Sequence, residues 1–311
     1  MLYQQFFGLN IGRLAYDGEI KNLAFDLDLI GQAWVFAPVY KMWFRGYGNP
    51  ETSATTPATQ VAVGNAYASA ALQKPFASFF AVGGGVLYEH FRLQKRRNSE
   101  LPQPLPADQA DGFGTRNYLG GLLYFRASIK DNEYNPTRGL VLNLQSSWQQ
   151  GLQSEIGRYG RYHYEAKYYM SPRLPMQVTF AGRLGGGLTT GRYAFYQSNM
   201  VGGGLLPNFT QTIRGYNRIR LFGDRSLYTN LEMRVSLLTS RLYIFPSQWG
   251  LLTLYDVGNV WARQQEQRSV PWLSTYGGGA WLALANRLVF SATVAKSAEG
   301  GFINFQNGFF F

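Results

Sequence analysis

Few side chains in this sequence are able to do chemistry. His90 and His163 are the only histidines, and neither has a metal-ligand neighbour at suitable spacing. Cysteine is absent, which removes disulfides, thiol catalysis and sulfur-based metal sites. There is no Ser-His-Asp grouping, HExxH pair, P-loop or zinc spacing. The Gly-rich run 182–187 lies in a strand pattern with no helix after it, so it offers no phosphate cradle. Glu165, near His163 on one polar face, reads as part of an ion and hydrogen-bond network rather than an acid–base pair. No enzyme activity, no cofactor and no metal is expected from these residues.

What remains is a guanidinium in an unusual setting. Ile213-Arg214-Gly215-Tyr216 lies inside the interval 191–225, which is too long for a hairpin turn. The flanks, 176–184 and 227–237, both alternate like strands. Loops beyond about 12–15 residues without structure of their own are usually functional or disordered. This one carries Tyr193, Phe195, Tyr196, Phe209 and Phe222, a glycine run at 202–204, and the cations Arg218 and Arg220. Such a composition lets the loop fold back into something. A guanidinium buried there needs carboxylate partners, and its planar fork suits two.

The elements that must position it read with period two. Leu23, Phe25, Leu27 and Leu29 alternate with Asn22, Ala24, Asp26 and Asp28. Tyr162, Tyr164, Ala166, Tyr168 and Met170 alternate with Arg161, His163, Glu165 and Lys167. Leu231, Met233, Val235 and Leu237 alternate with Asn230, Glu232, Arg234 and Ser236. Such runs number about fourteen, and no helical pattern competes with them. The first three are placed at 5–17, 20–31 and 33–48, with a short turn at Asp17-Gly18 and another connection at 31–33. A soluble sandwich or lipocalin-like barrel would also alternate, but about fourteen long strands enclose a lumen too wide for side chains to fill. An all-β, transmembrane antiparallel β-barrel with an apolar exterior and a polar lumen is expected, as one domain over 1–311.

Composition agrees. No apolar run is long enough for a membrane-spanning helix, and the mean hydropathy of −0.19 is compatible with strands of which only alternate residues face lipid. A net charge of +11 could serve nucleic acid or anionic lipid, but cations lining a polar interior explain it more simply, and no nucleic-acid partner is expected. Residues 1–20 lack the basic and apolar regions of a signal peptide, so an export signal is expected outside this chain. The glycine triplets 83–85, 185–187 and 277–279 fall inside strands, where they mark bends or close backbone approach.

The run from Ile213 to Arg218, followed by Gly223 to Arg234, resembles the bacterial surface antigen barrel of BamA/TamA-type outer-membrane assembly factors. Four further stretches agree: Asp131-Asn132-Glu133-Tyr134-Asn135-Pro136-Thr137-Arg138-Gly139, Tyr255-Asp256-Val257-Gly258-Asn259-Val260-Trp261, Tyr276-Gly277-Gly278-Gly279-Ala280-Trp281, and the closing Phe309-Phe310-Phe311. The resemblance covers about residues 115–311 with its motifs in order, and only the strand pattern matches before that.

The resemblance implies a barrel of sixteen strands in the family, with the first two, and any periplasmic domains, lying upstream of this chain. It puts the end of the chain at the periplasmic rim, so that mostly short connections fall there and longer ones, including the Pro-rich 93–116 segment, fall outside. It implies that the Arg-Gly-Tyr loop enters the lumen and that its arginine meets acidic residues on the inner wall. Glu232 lies on the polar face of its strand, and Asp256 lies opposite Leu251, Tyr255 and Trp261. Glu232 and Asp256 are therefore the expected partners of Arg214. Gly308 takes the place of the glycine where the family's seam kinks, with Phe309 and Phe311 as the terminal signal beside it. Without the first strand, this chain alone is not expected to form the family's lateral gate. The implied function is assembly or translocation of proteins at the outer membrane. Outer-membrane lipid, unfolded outer-membrane or secreted proteins, and periplasmic domains or accessory proteins are the expected partners. The alternative is a barrel that anchors, or forms a pore for, a fused periplasmic or surface domain.

Overall fold

The structure is a computed structural model. It describes residues 2–10, 13–44, 46–48, 59–95, 113–153, 157–203, 211–216, 218–242, 245–262, 272–285 and 287–311. The Pro-rich part of the 93–116 loop, Phe209, Gly204 and Asn217 lie outside them.

Fourteen strands form one antiparallel sheet in which every neighbour is the next wall strand in sequence. They open with β1 (Leu2–Asn10), β2 (Arg13–Ala24), β3 (Leu27–Phe44), β4 (Thr59–Ala77), β5 (Phe80–Lys95), β6 (Gly114–Lys130), β7 (Gly139–Gly151), β8 (Arg158–Met170) and β9 (Val178–Gly191). Two short strands then leave the wall, β10 (Asn199–Gly202) and β11 (Ile219–Gly223), and pair with each other, while Gly48 bridges to Phe222 of β11. The wall resumes with β12 (Arg225–Leu242), β13 (Phe245–Trp261), β14 (Leu273–Leu284), β15 (Leu288–Ser297) and β16 (Gly300–Asn307). β9 pairs directly with β12, so everything between them is an insertion into an otherwise uninterrupted meander.

The side chains are arranged inside out. Leu231 and Met233 on β12, Leu251 and Tyr255 on β13, Phe290 and Val294 on β15, and Ile303 and Phe305 on β16 are exposed on the outer face. Their sequence neighbours Glu232, Arg234, Asp256, Ser291 and Thr293 are buried. Water would penalise this arrangement, and hydrocarbon favours it: apolar side chains meet lipid while polar ones meet each other. The antiparallel ladder also satisfies the backbone groups that lipid cannot. The sheet curls round the insertion, because Phe44 of β3, Phe91 of β5 and Val260 of β13 all belong to clusters built on it.

Two expected turns are corrected. Asp17-Gly18 is not a turn but lies within β2, and 31–33 lies within β3; the described chain turns instead at Phe25 and Asp26, both with positive φ. The Asp-Gly pair is a strong local hairpin signal. Here it is overridden by pairing: Asp17 sits opposite Gln32 and accepts a hydrogen bond from its amide at 3.0 Å. Gly18 provides the space in which the Tyr16 ring lies; a Cβ there would come within 2.3 Å of the Tyr16 hydroxyl. Two of the glycine triplets act in the same way, Gly83 seating the Tyr124 ring and Gly185 the Tyr228 ring, whereas Gly277 and Gly279 lie close against the backbone of β15.

Candidate functional site

The insertion begins where β9 ends. A single 3-10 turn, Phe195–Gln197, and the β10–β11 ladder give it local structure, and Thr212 closes it by hydrogen bonds to the backbone of Gly202. Its aromatic residues were visible as a cluster in the sequence, and they find aromatic partners on the wall. Phe195 lies 4.5 Å from Phe44, Tyr196 4.4 Å from Phe91 and Phe222 5.1 Å from Phe44, centroid to centroid. Such pairs contribute roughly 0.5–1.5 kcal/mol each beyond burial of their area. Ile213 and Tyr216 are buried with Val201, Leu221, Val260 and Leu273. The described part of the insertion is a packed plug.

Arg214 is completely buried at the centre of this contact. Its Nε and Nη2 donate to the two oxygens of Asp256 at 2.8 and 2.7 Å, a bidentate fork on β13. Its backbone N–H donates to the same carboxylate at 2.9 Å. Nη1 donates to Glu232 on β12. The fork thus spans two adjacent strands. Gly215 turns the chain away at φ +77°, and a Cβ there would lie 2.9 Å from Thr275 on β14. Only glycine allows both that φ and that closeness.

Other groups, which sequence reasoning did not single out, extend the clamp. Arg234 Nε donates to the second oxygen of Glu232 at 2.8 Å, so that carboxylate bridges two arginines. Arg183 of β9 donates to Asn230 at 2.7 Å and to the carbonyls of Gln211 and Thr212 at 3.1 Å, and Asn230 donates to Thr212 at 2.9 Å. Arg183, Arg214 and Arg234 each find acceptors, as burial requires, although Nη1 of Arg234 has no hydrogen-bond partner.

The end of the chain joins this network. Gly308 follows β16 with φ +101° and still donates to Val289 at 2.7 Å. The three phenylalanines beyond it turn inward. The ring of Phe310 lies under Arg214 at 4.3 Å and Arg183 at 4.8 Å. Phe309 lies 3.6 Å from the Arg234 guanidinium and meets Trp281 edge-on, while the Phe311 carbonyl accepts from Arg234 at 3.3 Å. Phe309 and Phe311, expected beside a seam, thus also floor the arginine cluster.

A second, separate polar contact holds the start of the insertion. Tyr118 donates to the Gln197 side chain at 3.3 Å and Arg161 donates to the Gln197 carbonyl at 3.1 Å. Behind them Glu89 accepts from Tyr159 at 3.0 Å and Gln149 at 3.2 Å. Between the two contacts lies a lumenal cavity of about 730 Å³ whose lining includes Arg126, Arg161, His163, Glu165, Lys167 and Arg183. His163 and Glu165 are thus parts of a charged lumen wall. His90 lies instead against Asn117, 2.7 Å away.

Comparison with known families adds a decisive observation to this geometry. The model of the Omp85 superfamily domain matches residues 17–291, which spans most of the chain. The chain belongs to the Omp85 superfamily. The match begins well before residue 115 and ends within β15. Among solved structures, the Omp85 barrel seen here is similar to BamA from Haemophilus ducreyi lacking POTRA domains 1-3, with a TM-score of 0.62 and 16% identity. That alignment covers 95% of this chain and 61% of the other, so the chain spans about three fifths of the structure it matches. At that identity the likeness is one of fold. Comparison with curated protein sequences finds no match.

Proposed function

We propose that this chain is the membrane barrel of a factor that assembles or translocates other proteins at the outer membrane of a Gram-negative bacterium. The observation that carries the reading is the plug: an Omp85 barrel whose long insertion is fastened to the inner wall by Arg214, across β12 and β13. A barrel built only as an anchor has no need of a conformationally committed, charge-clamped insertion. The work assigned to it is mechanical and needs no cofactor, and no catalytic step is assigned to any residue. β16 lies at one end of the strand order, and an edge strand offers unpaired N–H and C=O groups on which an incoming β-strand can form. The plug braces the wall near that edge, since Phe310 and Phe309 connect the end of β16 to Arg214 and Arg234. Substrates are unfolded outer-membrane or secreted proteins, received with the help of periplasmic domains or accessory proteins.

The reading is tested by reconstituting the protein in liposomes and following the folding of a second, initially unfolded barrel. Faster folding than in empty liposomes supports it. Unchanged folding, with the protein itself embedded, favours the anchor or pore instead.

A further inference from the structure

Phe309 and Phe310 tie one end of β16 to the arginines of the clamp. The far end of that strand carries a tie of its own. Arg220 of β11 places its Nε 2.8 Å from the carboxylate of Glu299, in the turn that joins β15 to β16. The Arg220 side chain is 11% exposed and that of Glu299 37%, so the pair is only half shielded from water. Between the two ends the plug also touches the hairpin: a Cβ on Gly215 would stand 3.5 Å from the carbonyl carbon of Ala295. β16 is eight residues long, about 25 Å at roughly 3.3 Å per residue. Among the described strands it has a neighbour on one side only, β15.

Both partners are built for this contact. β10 and β11 pair residue for residue from Asn199 with Gly223 to Val201 with Leu221. The next pair is Gly202 with Ile219, which leaves Arg220 as the extra residue of a β-bulge. A bulge breaks the alternation of a strand and re-aims a side chain. Ile219 and Leu221 stay buried in the plug, while Arg220 between them reaches out to Glu299. Gly202 permits the bulge: its φ is +139°, and a Cβ there would come within 2.7 Å of the Arg220 backbone nitrogen. On the other side, the Glu299 N–H donates to the Ser297 hydroxyl at 3.1 Å, which fixes the turn that presents the carboxylate.

We infer that Arg220 and Glu299 form a latch that restrains the β15–β16 hairpin, and that the free edge of β16 loosens from its far end when the latch opens. Closed, the latch makes the plug a splint along the hairpin, fastened at both ends. Open, it leaves the Arg214 clamp and the plug in place, and the far end of the hairpin keeps only the ladder to β14. The two fastenings differ in character. The buried clamp is shielded from salt, whereas the half-exposed latch is screened by it. Arg220 and Glu299 are thus positioning residues for the edge on which an incoming strand would form. That role rests on the proposed function; the latch itself is tested apart from it.

The test is hydrogen exchange on the protein folded in detergent micelles, following the hairpin amides 294–302. Wild type is compared with Arg220→Gln, Glu299→Gln and the variant carrying both, each verified as folded by heat-modifiable gel migration. At low salt each single variant should exchange about three- to tenfold faster than wild type. The double variant should be no faster than either single one, because the two changes remove the same contact. Raising salt from about 0.05 to 0.5 M should speed exchange in wild type and leave Glu299→Gln unmoved. Exchange at the wild-type rate in both single variants, or effects that add in the double variant, overturns the latch. In the liposome assay, Glu299→Gln should accelerate folding of a second barrel more than wild type does at low salt, and equally at high salt. An unaltered rate beside an accelerating wild type overturns the positioning role. Faster exchange in the variants, with no acceleration by wild type, leaves the latch standing and overturns the proposed function alone.

Discussion

Replacing Arg214 by Ala removes three side-chain hydrogen bonds, two to Asp256 and one to Glu232. The two carboxylates do not suffer equally. Glu232 keeps Arg234, so its charge stays compensated. Asp256, wholly buried, is left with the backbone N–H of residue 214 as its remaining contact from the loop. Stripping one partner from a buried pair costs about 3–5 kcal/mol. The least costly relief is for the loop to swing out and admit water to Asp256, so that energy appears as undocking. At a factor of ten per roughly 1.4 kcal/mol, the undocked population rises by about two to three and a half orders of magnitude. Chymotrypsin reads this directly, because Tyr216 and Phe222 are buried in the docked plug and become cleavable when it opens. When opening and closing are fast, the cleavage rate follows the open population. Arg214→Lys should fall between wild type and Ala, since an ammonium lacks the fork. Adding Asp256→Leu to Arg214→Met should recover part of the protection, because a buried pair replaced on both sides leaves no orphan charge. If the folded Arg214→Ala protein resists chymotrypsin as wild type does, the clamp is not what holds the plug.

Three further outcomes follow from the same contacts. Gly215→Ala places a Cβ 2.9 Å from Thr275 in a left-handed conformation that costs an L-residue roughly 1–2 kcal/mol, so cleavage at Tyr216 should quicken by about tenfold. Phe310→Ala removes the ring beneath Arg214 and Arg183, a contact of roughly 0.5–2 kcal/mol, and should speed plug cleavage by a few-fold to about thirtyfold while leaving the strands protected from exchange. Burial alone would raise the Asp131 carboxyl, but hydrogen bonds from Thr137, Arg138 and Asn132 outweigh it and hold the group below its ordinary 3.8. A depressed carboxylate stabilises the fold above its unfolded value and stops doing so as pH falls through the folded one. The 131–138 turn should therefore keep its amide protection at pH 5–8 and lose it only below about pH 4, as read by hydrogen exchange, whereas Asp131→Asn should lose it at neutral pH as well.

Much of this was legible because the barrel writes itself with period two. Glu232 lies between Leu231 and Met233, and Asp256 between Tyr255 and Val257, so alternation alone set both carboxylates on the inner face before any contact was known. That Arg214 meets them was legible only through the resemblance of its loop to the family's, because its position in the sequence alone fits a solvated loop tip. The N-terminal turns were not, because Asp17-Gly18 carries the local signal while Phe25, 90% exposed at φ +54°, carries none. Arg183 was hidden by its glycine-rich strand, and its partners Gln211 and Thr212 lie across the insertion. Phe310 was passed over because its neighbours Phe309 and Phe311 fitted the terminal pattern. Its contact with Arg214 exists only once β16 is registered on β15 and the chain turns at Gly308. Relations of that kind are made by the closing of the fold, and no local spacing announces them.

The central claim joins the clamp to protein assembly, and one measurement addresses both. Wild type, Arg214→Lys and Arg214→Ala are reconstituted in liposomes at equal density, each verified as embedded, and the folding rate of a second unfolded barrel is followed. The account predicts acceleration by wild type that diminishes through Lys to Ala in the same order as plug protection. Acceleration that is absent in wild type, or undiminished in an Ala variant whose plug has come loose, would contradict it.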